Sequence, residues 1–379
     1  MCGIFGFIGP NSINHRRALE ILDHRGPDDS GFWKAQSENP SVILGQTRLA
    51  IVDLNKRSKQ PMKSKCGRYI LVYNGEIYNF TELKDDLKGQ GVRFRTESDT
   101  EVLLEGLIKY GANFQIKCNG MWSFCLWDDK KKVGIFGRDR FGKKPFFYTV
   151  NNGTFFFASE TKLLLEYSGT FSPIKDFYQF ENLIFNYESS GLTPFNNVFS
   201  LKSGHSATWK NNEFLTSRWW NTLDNLVQVP NKYEDQVEEW RYLFLDSVKM
   251  RIASDVKVGT AISGGLDSTA IACAVKYLGE QNRVSLKEHH LYFSKFANYE
   301  NDESAWVQIA QEALKKKARI IEIDPNKSFW SLQNSLFQTE NPYLTIPIPM
   351  LETYKGMSKD GIKVSIDGHG ADELFSGYG

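Results

Sequence analysis

A thiol stands at position 2, directly after the initiator methionine. A small second residue normally permits removal of Met1, which would leave the Cys2 thiol beside a free α-amine. An α-amine has a reference pKa of about 8, so it can act as a general base near neutral pH. One residue can then supply both the nucleophile and the base, which makes Cys2 a candidate nucleophile for acyl transfer.

A second motif with chemical potential is VGTAISGGLDST, residues 258–269. An apolar strand, a glycine turn and a helix place backbone amides and a helix N-terminus where they can bind phosphate. Ser263 and Ser268 add hydroxyl donors, and Asp267 can bind Mg²⁺. Residues 137–144, GRDRFGKK, look similar to a Walker A loop, but no Ser or Thr follows the lysine, so we reject that reading.

The elements that would position Cys2 are short strands with a few helices, running from residue 1 to about 210. Helices are predicted near Thr81–Lys88 and after a cap at Ser98. Segregated strands and helices of this kind predict α+β layers. The predicted strands are Ile4–Ile8, Tyr69–Tyr73, Trp122–Trp127, Lys132–Phe136 and Thr154–Ala158.

Beyond a polar stretch at residues 219–232, strands and helices alternate. This alternation predicts an α/β doubly wound parallel sheet with ligands at the carboxyl ends of its strands. We therefore predict domains at residues 2–210 and 230–379. The predicted elements are helix Tyr233–Ile252, strand Lys257–Ile262, a helix from about Ser268 to Leu278, strand Glu288–Phe293, helix Glu303–Lys317, strand Ala318–Ile323 and strand Lys363–Ile366.

Composition limits the partners. The 379 residues carry 46 Lys and Arg against 45 Asp and Glu, a formal charge of +1, which gives no reason to expect nucleic acid. No apolar run is long enough to cross a membrane and no secretion signal is recognisable, so we expect a cytoplasmic protein. None of the five cysteines forms a CxxC pair. The four other than Cys2 are expected to be small buried hydrophobes: Cys66, Cys118, Cys125 and Cys273.

Several motifs between residues 2 and 165 resemble those of class II glutamine amidotransferases, most closely the glutaminase domain of asparagine synthetases. The resemblance implies a four-layer αββα N-terminal-nucleophile fold. In order they are CGIFGFIG (2–9), HRGPDDSG (24–31), RLAIVDL (48–54), NGEIYN (74–79), ESDTEVLL (97–104), NGMWSFCLWD (119–128), RDRFGKKPFFY (138–148) and FASETKLLL (157–165).

The resemblance also implies a glutamine site. Cys2 is its catalytic nucleophile, and the Asn74 side-chain amide with the Gly75 backbone N–H forms the oxyanion hole. Arg25 and Asp28 are expected to shape the site. The residues implied to bind glutamine are Arg48 for the α-carboxylate, Asp99 for the α-ammonium with Glu76 nearby, Asn74, Gly75, and the backbone of Leu49, Ala50, Ile51 and Val52.

Two later motifs resemble the ATP-pyrophosphatase loop and the facing segment of asparagine synthetases: SGGLDS (263–268) and SIDGHGADELFSGYG (365–379). The implied Mg²⁺ ligands are Asp267 and Asp372. The implied partners are glutamine, ATP and aspartate, and a homodimer is possible. The implied ATP contacts are Ala261, Ser263, Gly264, Gly265, Leu266, Asp267, Ser268, Ser294, Asp367 and Gly368.

The implied reaction is synthesis of asparagine from aspartate, glutamine and ATP through an acyl-adenylate. Two features leave alternatives open. His369 stands where many synthetases carry an acid, and the chain ends at Gly379 where family domains usually continue, so we expect a fragment or an incomplete synthetase half. The alternatives are an amidotransferase for another carboxylate, such as a sugar acid or secondary metabolite, a stand-alone glutaminase, and a nucleotide-binding regulatory protein.

Overall fold

The structure is a computed structural model that describes residues 1–10, 13–36, 40–169, 172–173, 175–176, 181, 190–282, 288–296, 302–324, 332–340 and 348–375. Its contacts divide the chain into two units. The first contains Met1–Leu226 and the short segment Glu340–Pro342, and the second contains Val227–Thr339 and Tyr343–Gly379.

Strands dominate the first unit. They are β1 (Gly3–Gly9), β2 (Asp29–Lys34), β3 (Ser41–Arg48), β4 (Met62–Lys63), β5 (Tyr69–Ile77), β6 (Gly120–Asp128), β7 (Val133–Arg138), β8 (Phe147–Asn151), β9 (Thr154–Ala158), β10 (Phe199–Ser200), β11 (His205–Lys210) and β12 (Glu213–Arg218). One six-stranded sheet has the order β10-β8-β9-β1-β3-β2, and the other has the order β12-β11-β7-β6-β5-β4. The paired strands are antiparallel throughout.

Among the described residues, the helices that cover the outer faces of these two sheets are α1 (His15–Leu22), α2 (Phe80–Gly89), α3 (Asp99–Tyr110) and α4 (Thr161–Ser168). Alternate side chains of β1 show how the layers form. Ile4 and Ile8 enter the core between the sheets, whereas Phe5 and Phe7 pack with α1 and α4. The outer face of the second sheet packs on α2 and α3. The resulting order of helices, sheet, sheet and helices confirms the predicted αββα fold.

The second unit alternates helices and strands as predicted. Its elements are α5 (Tyr233–Ile252), β13 (Val258–Ala261), α6 (Leu266–Glu280), β14 (His289–Phe296), α7 (Ser304–Leu314), β15 (Ala318–Ile323), α8 (Leu332–Thr339), α9 (Ile348–Lys359), β16 (Val364–Ser365) and α10 (Ala371–Phe375). The sheet is parallel in the order β15-β14-β13-β16. The chain therefore reverses its direction of strand addition between β13 and β16, and such a switch point is where ligands bind in these folds.

The structure corrects some sequence-based details. Cys66 and Cys273 are exposed, so the expectation of a buried small hydrophobe holds only for Cys118 and Cys125. The hairpin of β11 and β12 extends the second sheet to Arg218, past the predicted domain end at 210. Helix α6 begins at Leu266 rather than near Ser268, because the helix starts directly after the glycine turn.

Across the part of the chain that the structure describes, no helix combines the length and apolar character needed to span a bilayer.

Candidate functional site

Cys2 lies immediately before β1, at the N-terminal end of a central strand of the first sheet. The β1–β3 ladder pairs Gly3 with Thr47, so the antiparallel register brings Cys2 level with Arg48. The Cys2 Sγ accepts the backbone N–H of Leu49 at 3.4 Å and lies 3.7 Å from the Leu49 carbonyl oxygen. The thiol is thus placed against the start of the segment predicted to form the wall of a glutamine site.

A charged network behind Cys2 fixes its backbone. The Arg25 Nε donates to the Cys2 carbonyl at 3.0 Å, and its Nη1 donates to the Glu160 carboxylate at 2.9 Å. His24 Nε2 lies 2.9 Å from the same carboxylate oxygen. Arg25 therefore holds the backbone of Cys2, and its expected part in shaping a glutamine site stays a prediction. Glu160 falls in the FASETKLLL motif, but sequence reasoning assigned it no role.

The pKa of Glu160 reflects this network. Burial alone would raise it, but hydrogen bonding to His24, the charge and hydrogen bond of Arg25 and the hydrogen bond of Lys162 together lower it to about 2. The carboxylate is consequently ionised at any physiological pH and holds Arg25 in place.

Asn74 and Gly75 lie on β5 opposite Ser123 and Trp122 of β6. The Asn74 side chain is 1% exposed, and its Nδ2 has no hydrogen-bond partner among the described residues. A buried amide donor without a partner costs free energy, so a ligand oxygen would relieve it. A Cβ on Gly75 would lie 2.2 Å from the Met121 carbonyl oxygen, so only glycine fits there.

A cross-sheet hydrogen bond brings β3 and β5 together at this level. The Gln46 Nε2 donates to the Tyr73 carbonyl at 2.7 Å, joining the strand that ends in Arg48 to the strand that continues into Asn74. Because Gln46 is buried, this bond is protected from water and fixes the separation of the two strands.

Arg48 organises the loop that follows β3. Its guanidinium donates to the carbonyl oxygens of Val52 at 3.4 Å, Asp53 at 2.7 Å and Asn55 at 3.3 Å. The Ala50 N–H donates to Asp28 Oδ2 at 2.7 Å, which holds the other end of the loop. Arg48 is therefore a brace for residues 48–55 in this structure, and its contact with a glutamine carboxylate stays a prediction, as do the wall contacts of Leu49, Ala50, Ile51 and Val52.

Asp99 begins α3 behind β5. Ser98 caps the helix by accepting the Thr100 N–H, and this places Asp99 in the first turn. Its Oδ2 accepts the Tyr73 hydroxyl at 2.9 Å and the Ile77 N–H at 3.1 Å. Burial raises the pKa of Asp99, although these hydrogen bonds partly offset the effect.

Glu76 is the acid with the most unusual titration in this region. Burial and the nearby Asp99 raise its pKa to about 7, against the lowering influence of Lys144 and the terminal amine. Its charge therefore changes near neutral pH, so the local charge balance is sensitive to small changes in surroundings.

The thiol and the terminal amine have complementary proton affinities. Burial raises the pKa of the Cys2 thiol, although hydrogen bonding to Leu49 and the charges of the amine, Lys144 and Arg48 oppose it. Burial lowers the pKa of the Met1 amine to about 6. At neutral pH the thiol thus holds its proton. The lowered pKa belongs to the Met1 amine, and the α-amine of Cys2 itself becomes free only once Met1 is removed.

The predicted phosphate-binding loop of the second unit, residues 263–268, is held together by hydrogen bonds between its two serines. The Ser263 N–H donates to Ser268 Oγ at 3.1 Å, and the two hydroxyl oxygens are 3.1 Å apart. Gly264 has φ +78°, and a Cβ there would lie 2.5 Å from the Trp306 Cβ. Gly265 precedes the first residue of α6, so the loop delivers backbone amides to a helix N-terminus, where phosphate binds favourably.

The two predicted ATP motifs meet at the switch point of the sheet. Asp367 Oδ1 accepts the Ala261 N–H at 2.9 Å, and its Oδ2 accepts the Tyr354 hydroxyl at 2.7 Å. A Cβ on Gly368 would lie 2.8 Å from the Ser268 nitrogen. Asp367 therefore joins β16 to β13, and Gly368 lies against the start of α6.

The same close approach brings Asp267 near the second predicted ATP motif. The Cβ of Asp267 is 3.0 Å from the position that a Cβ on Gly368 would occupy. Asp372 follows in α10, whose Ala371 N–H donates to the Gly368 carbonyl at 3.3 Å. Carboxylate oxygens beside a phosphate loop suit Mg²⁺, but the described residues contain no group of three or more His, Cys, Asp or Glu that could hold a metal ion. The Mg²⁺ site at Asp267 and Asp372 therefore stays a prediction.

Ser294 and Leu266 differ in what they can offer a nucleotide. Ser294 lies on β14, two residues beyond the Tyr292 that pairs with Ala261, and its hydroxyl is hydrogen-bonded to Thr353. A nucleotide could therefore contact the backbone of Ser294 without breaking that hydrogen bond. Leu266 is 85% exposed at the start of α6. ATP contacts by these residues stay predictions.

Comparison with known proteins agrees with both halves. A glutamine amidotransferase domain model matches residues 1–220, and an asparagine synthase model matches residues 239–379. Asparagine synthetase [glutamine-hydrolyzing] 3 of Bacillus subtilis is 31% identical over 100% of this chain and 63% of its own length. The putative asparagine synthetase 2 of Methanocaldococcus jannaschii is 30% identical over 100% of this chain and 76% of its own. The amidase chry2 of Gibberella zeae is 29% identical over 100% and 59%.

The fold and the sequence matches define the class of protein. A class II glutamine amidotransferase domain of the N-terminal-nucleophile type is joined to an asparagine-synthase domain with a parallel sheet. The chain spans 63% of the length of the B. subtilis relative. It belongs to the glutamine-hydrolysing asparagine synthetase family.

Proposed function

We propose that the chain hydrolyses glutamine at Cys2 and that its second unit uses ATP to activate a carboxylate for amidation, with the aspartate side chain as the acceptor. One observation carries the first half. The buried Asn74 amide has no hydrogen-bond partner among the described residues and lies beside Gly75. A donor kept dry and unpaired is preorganised for an oxyanion that exists only during reaction.

The proposed hydrolysis begins when Cys2 Sγ attacks the side-chain amide carbon of glutamine. The thiol proton passes to the α-amine that Met1 removal exposes, and the oxyanion accepts hydrogen bonds from Asn74 Nδ2 and the Gly75 N–H. Collapse breaks the C–N bond, and the amine returns its proton to the leaving ammonia. Water then hydrolyses the thioester, and glutamate leaves.

In the second unit, a carboxylate oxygen of the acceptor attacks the α-phosphorus of ATP, and pyrophosphate leaves. Ammonia then attacks the acyl-adenylate carbon and AMP departs, which forms the amide. The loop 263–268 would bind the phosphates, and Asp367 would keep β16 beside that loop. Mg²⁺, held by Asp267 and Asp372, would supply charge neutralisation on the phosphates.

A second acceptor class is favoured by His369. Many family synthetases have an acid at this position, and this chain has an imidazole. The amidase chry2 of Gibberella zeae, a protein similar to this chain, is not named as an asparagine synthetase. A carboxylate other than aspartate is therefore the alternative acceptor.

The first half of the proposal is tested by measuring ammonia released from glutamine by the full chain. Cys2→Ala should abolish release, because the nucleophile is lost. Asn74→Ala should lower kcat about 100- to 1,000-fold with a smaller change in KM, because the oxyanion exists only in the transition state. Cys66→Ala removes an exposed thiol and serves as the matched control, with unchanged activity expected. Release that survives Cys2→Ala contradicts the proposal.

The second half is tested by measuring AMP and pyrophosphate with ATP, glutamine and a panel of carboxylic acids that includes aspartate. AMP formation that requires aspartate supports the asparagine reaction. AMP formation that requires another acid identifies the alternative acceptor. Ammonia release without AMP for any acid contradicts the second half and leaves a glutaminase.

A further inference from the structure

Glu340 is a largely buried carboxylate for which the proposed reaction has no step. It directly follows α8 in the chain, and its segment Glu340–Pro342 groups with the first unit. Its side chain is 10% exposed. Its backbone has φ +56°, a left-handed conformation that is unfavourable for a residue with a Cβ and persists where surrounding contacts hold it. None of the motifs described above includes this residue.

The Glu340 carboxylate caps helix α4 from 179 positions along the chain. Its Oε2 accepts the Thr161 N–H at 2.6 Å, and its Oε1 accepts the Lys162 N–H at 2.9 Å. Glu160, the residue just before the helix, makes no side-chain cap hydrogen bond among the described residues. Glu340 therefore supplies the cap that Glu160 does not, and its negative charge lies at the positive end of the helix.

Lys162 links Glu340 to the charged network behind Cys2. Its Nζ lies 3.7 Å from Glu340 Oε1 and 2.8 Å from Glu160 Oε2. All three side chains are largely buried, so water screens their charges weakly. The ammonium between the two carboxylates holds them in one cluster, whereas without it the two negative charges would repel each other.

Glu160 carries this cluster to the nucleophile. It accepts the Arg25 Nη1 at 2.9 Å, and the Arg25 Nε donates to the Cys2 carbonyl at 3.0 Å. The Arg25 and Glu160 side chains are both nearly buried, so a shift of either would leave a charge without its partner. The last bond reaches the carbonyl of Cys2 itself, so loss of the initiator methionine leaves it in place.

We propose that Glu340 is a positioning residue for glutamine hydrolysis, which fixes the Cys2 backbone through the ion-pair cluster that ends in Arg25. The inference rests on the proposed function of Cys2. A nucleophile must reach the substrate carbon within a narrow range of geometries, and a small misplacement lowers the rate strongly. Glu340 acts through these contacts rather than on glutamine, so its loss should slow the chemical step more than it weakens substrate binding.

The test measures ammonia release from glutamine by the full chain with Glu340→Gln, well below the thermal midpoint of each variant. The substitution keeps the size of the side chain but leaves one acceptor oxygen instead of two and no charge. We expect kcat to fall about 10-fold while KM changes less than about twofold. Glu166→Gln, at an exposed position of α4, is the matched control and should leave kcat unchanged.

A double-mutant cycle separates positioning of Cys2 from a general disturbance of the fold. Arg25→Lys removes the guanidinium that joins Glu160 to the Cys2 carbonyl. If Glu340 acts through this guanidinium, Glu340→Gln should lower kcat by less than about threefold in the Arg25→Lys background. Lys162→Gln should behave in the same way, and it carries the test if Glu340→Gln does not fold. Unchanged kcat in the single variants, or equal proportional losses in both backgrounds, overturns the inference.

Amide hydrogen exchange, resolved by peptide mass spectrometry, gives a readout that requires no turnover. The N–H groups of Thr161 and Lys162 donate to Glu340, so they should exchange faster in Glu340→Gln and at the wild-type rate in Glu166→Gln. Unchanged exchange in Glu340→Gln contradicts the cap and overturns the inference. Wild-type protein that releases no ammonia refutes the proposed function and the positioning role with it. Wild-type release that Glu340→Gln leaves unchanged refutes only the inference about Glu340.

Discussion

The chemistry proposed for the first unit depends on a few side chains that are buried and incompletely satisfied. Asn74 holds an amide donor away from water without a partner among the described residues, and burial keeps the Cys2 thiol protonated. Neither condition stabilises the fold. Each is the state that acyl transfer requires before substrate arrives.

Glu160 gives a pH-dependent prediction at the residue scale. Its pKa falls from an ordinary 4.5 to about 2 in the folded chain. Because the folded value is the lower one, its stabilisation is complete above about pH 4.5 and disappears as pH falls through about 2. The full effect is on the order of 3 kcal/mol, of which about 2 kcal/mol should be lost by pH 3.

Urea unfolding of the full chain at pH 7 and pH 3 tests this prediction. Glu160→Gln should destabilise the chain at pH 7, and its difference from the wild type should shrink at pH 3. Glu166→Gln, at an exposed position in the same segment, is the control and should change little at either pH. A Glu160→Gln difference that is equal at the two pH values would refute the assigned pKa.

At the scale of elements, the glycine turn after β13 joins the predicted phosphate-binding loop to α7. Gly264 adopts φ +78°, and its missing Cβ leaves room for Trp306. An alanine there must accept both a left-handed backbone and a collision with helix backbone. The turn therefore couples the shape of the loop to the packing of α7.

Gly264→Ala should lower the thermal midpoint of the chain and weaken binding of ATP. We expect a cost of about 1 kcal/mol from the left-handed backbone and about 1–3 kcal/mol from the collision. Gly361→Ala is the matched control, since Gly361 has φ +74° but nothing within 4 Å of an added Cβ. Calorimetry and ATP titration of both variants should show a clearly larger effect at Gly264. Equal effects would mean that the contact with Trp306 is unimportant.

The sequence predicted helices and strands well where the residues of the segment itself determine its secondary structure. Helix α5 and strand β15 have the predicted bounds. The short strand β4 and the hairpin of β11 and β12 were not predicted, since β4 has only two residues and β12 is mostly exposed. Each becomes a strand by pairing with a neighbouring strand of the folded sheet, and local propensity alone does not reveal that pairing.

The candidate site shows the same limit. Cys2 and the loop at 263–268 were identifiable because adjacent residue types already suggest their chemistry. Glu160 was not, because it contacts residues far away in the chain. Glu160 meets Arg25 from 135 positions away, and nothing near either residue signals that contact. Long-range strand order determines such pairs, and one sequence does not reveal it.

At the scale of the whole molecule, the chain combines an αββα glutaminase-type unit with a parallel-sheet unit of the asparagine-synthase type. In the first unit, the predicted site draws on both sheets. Cys2 and Arg48 lie at the ends of β1 and β3 in one sheet, and Asn74 lies on β5 in the other. The account therefore depends on Cys2 being the reacting group and on its own amine being free.

The most direct test is to acid-quench the full chain during turnover of glutamine and analyse its N-terminal peptide by mass spectrometry. The account predicts a peptide that begins at Cys2 and carries a glutamyl thioester, which is absent without glutamine. Active protein that retains Met1, or a glutamyl adduct found on Cys66 or Cys273 instead, would contradict it.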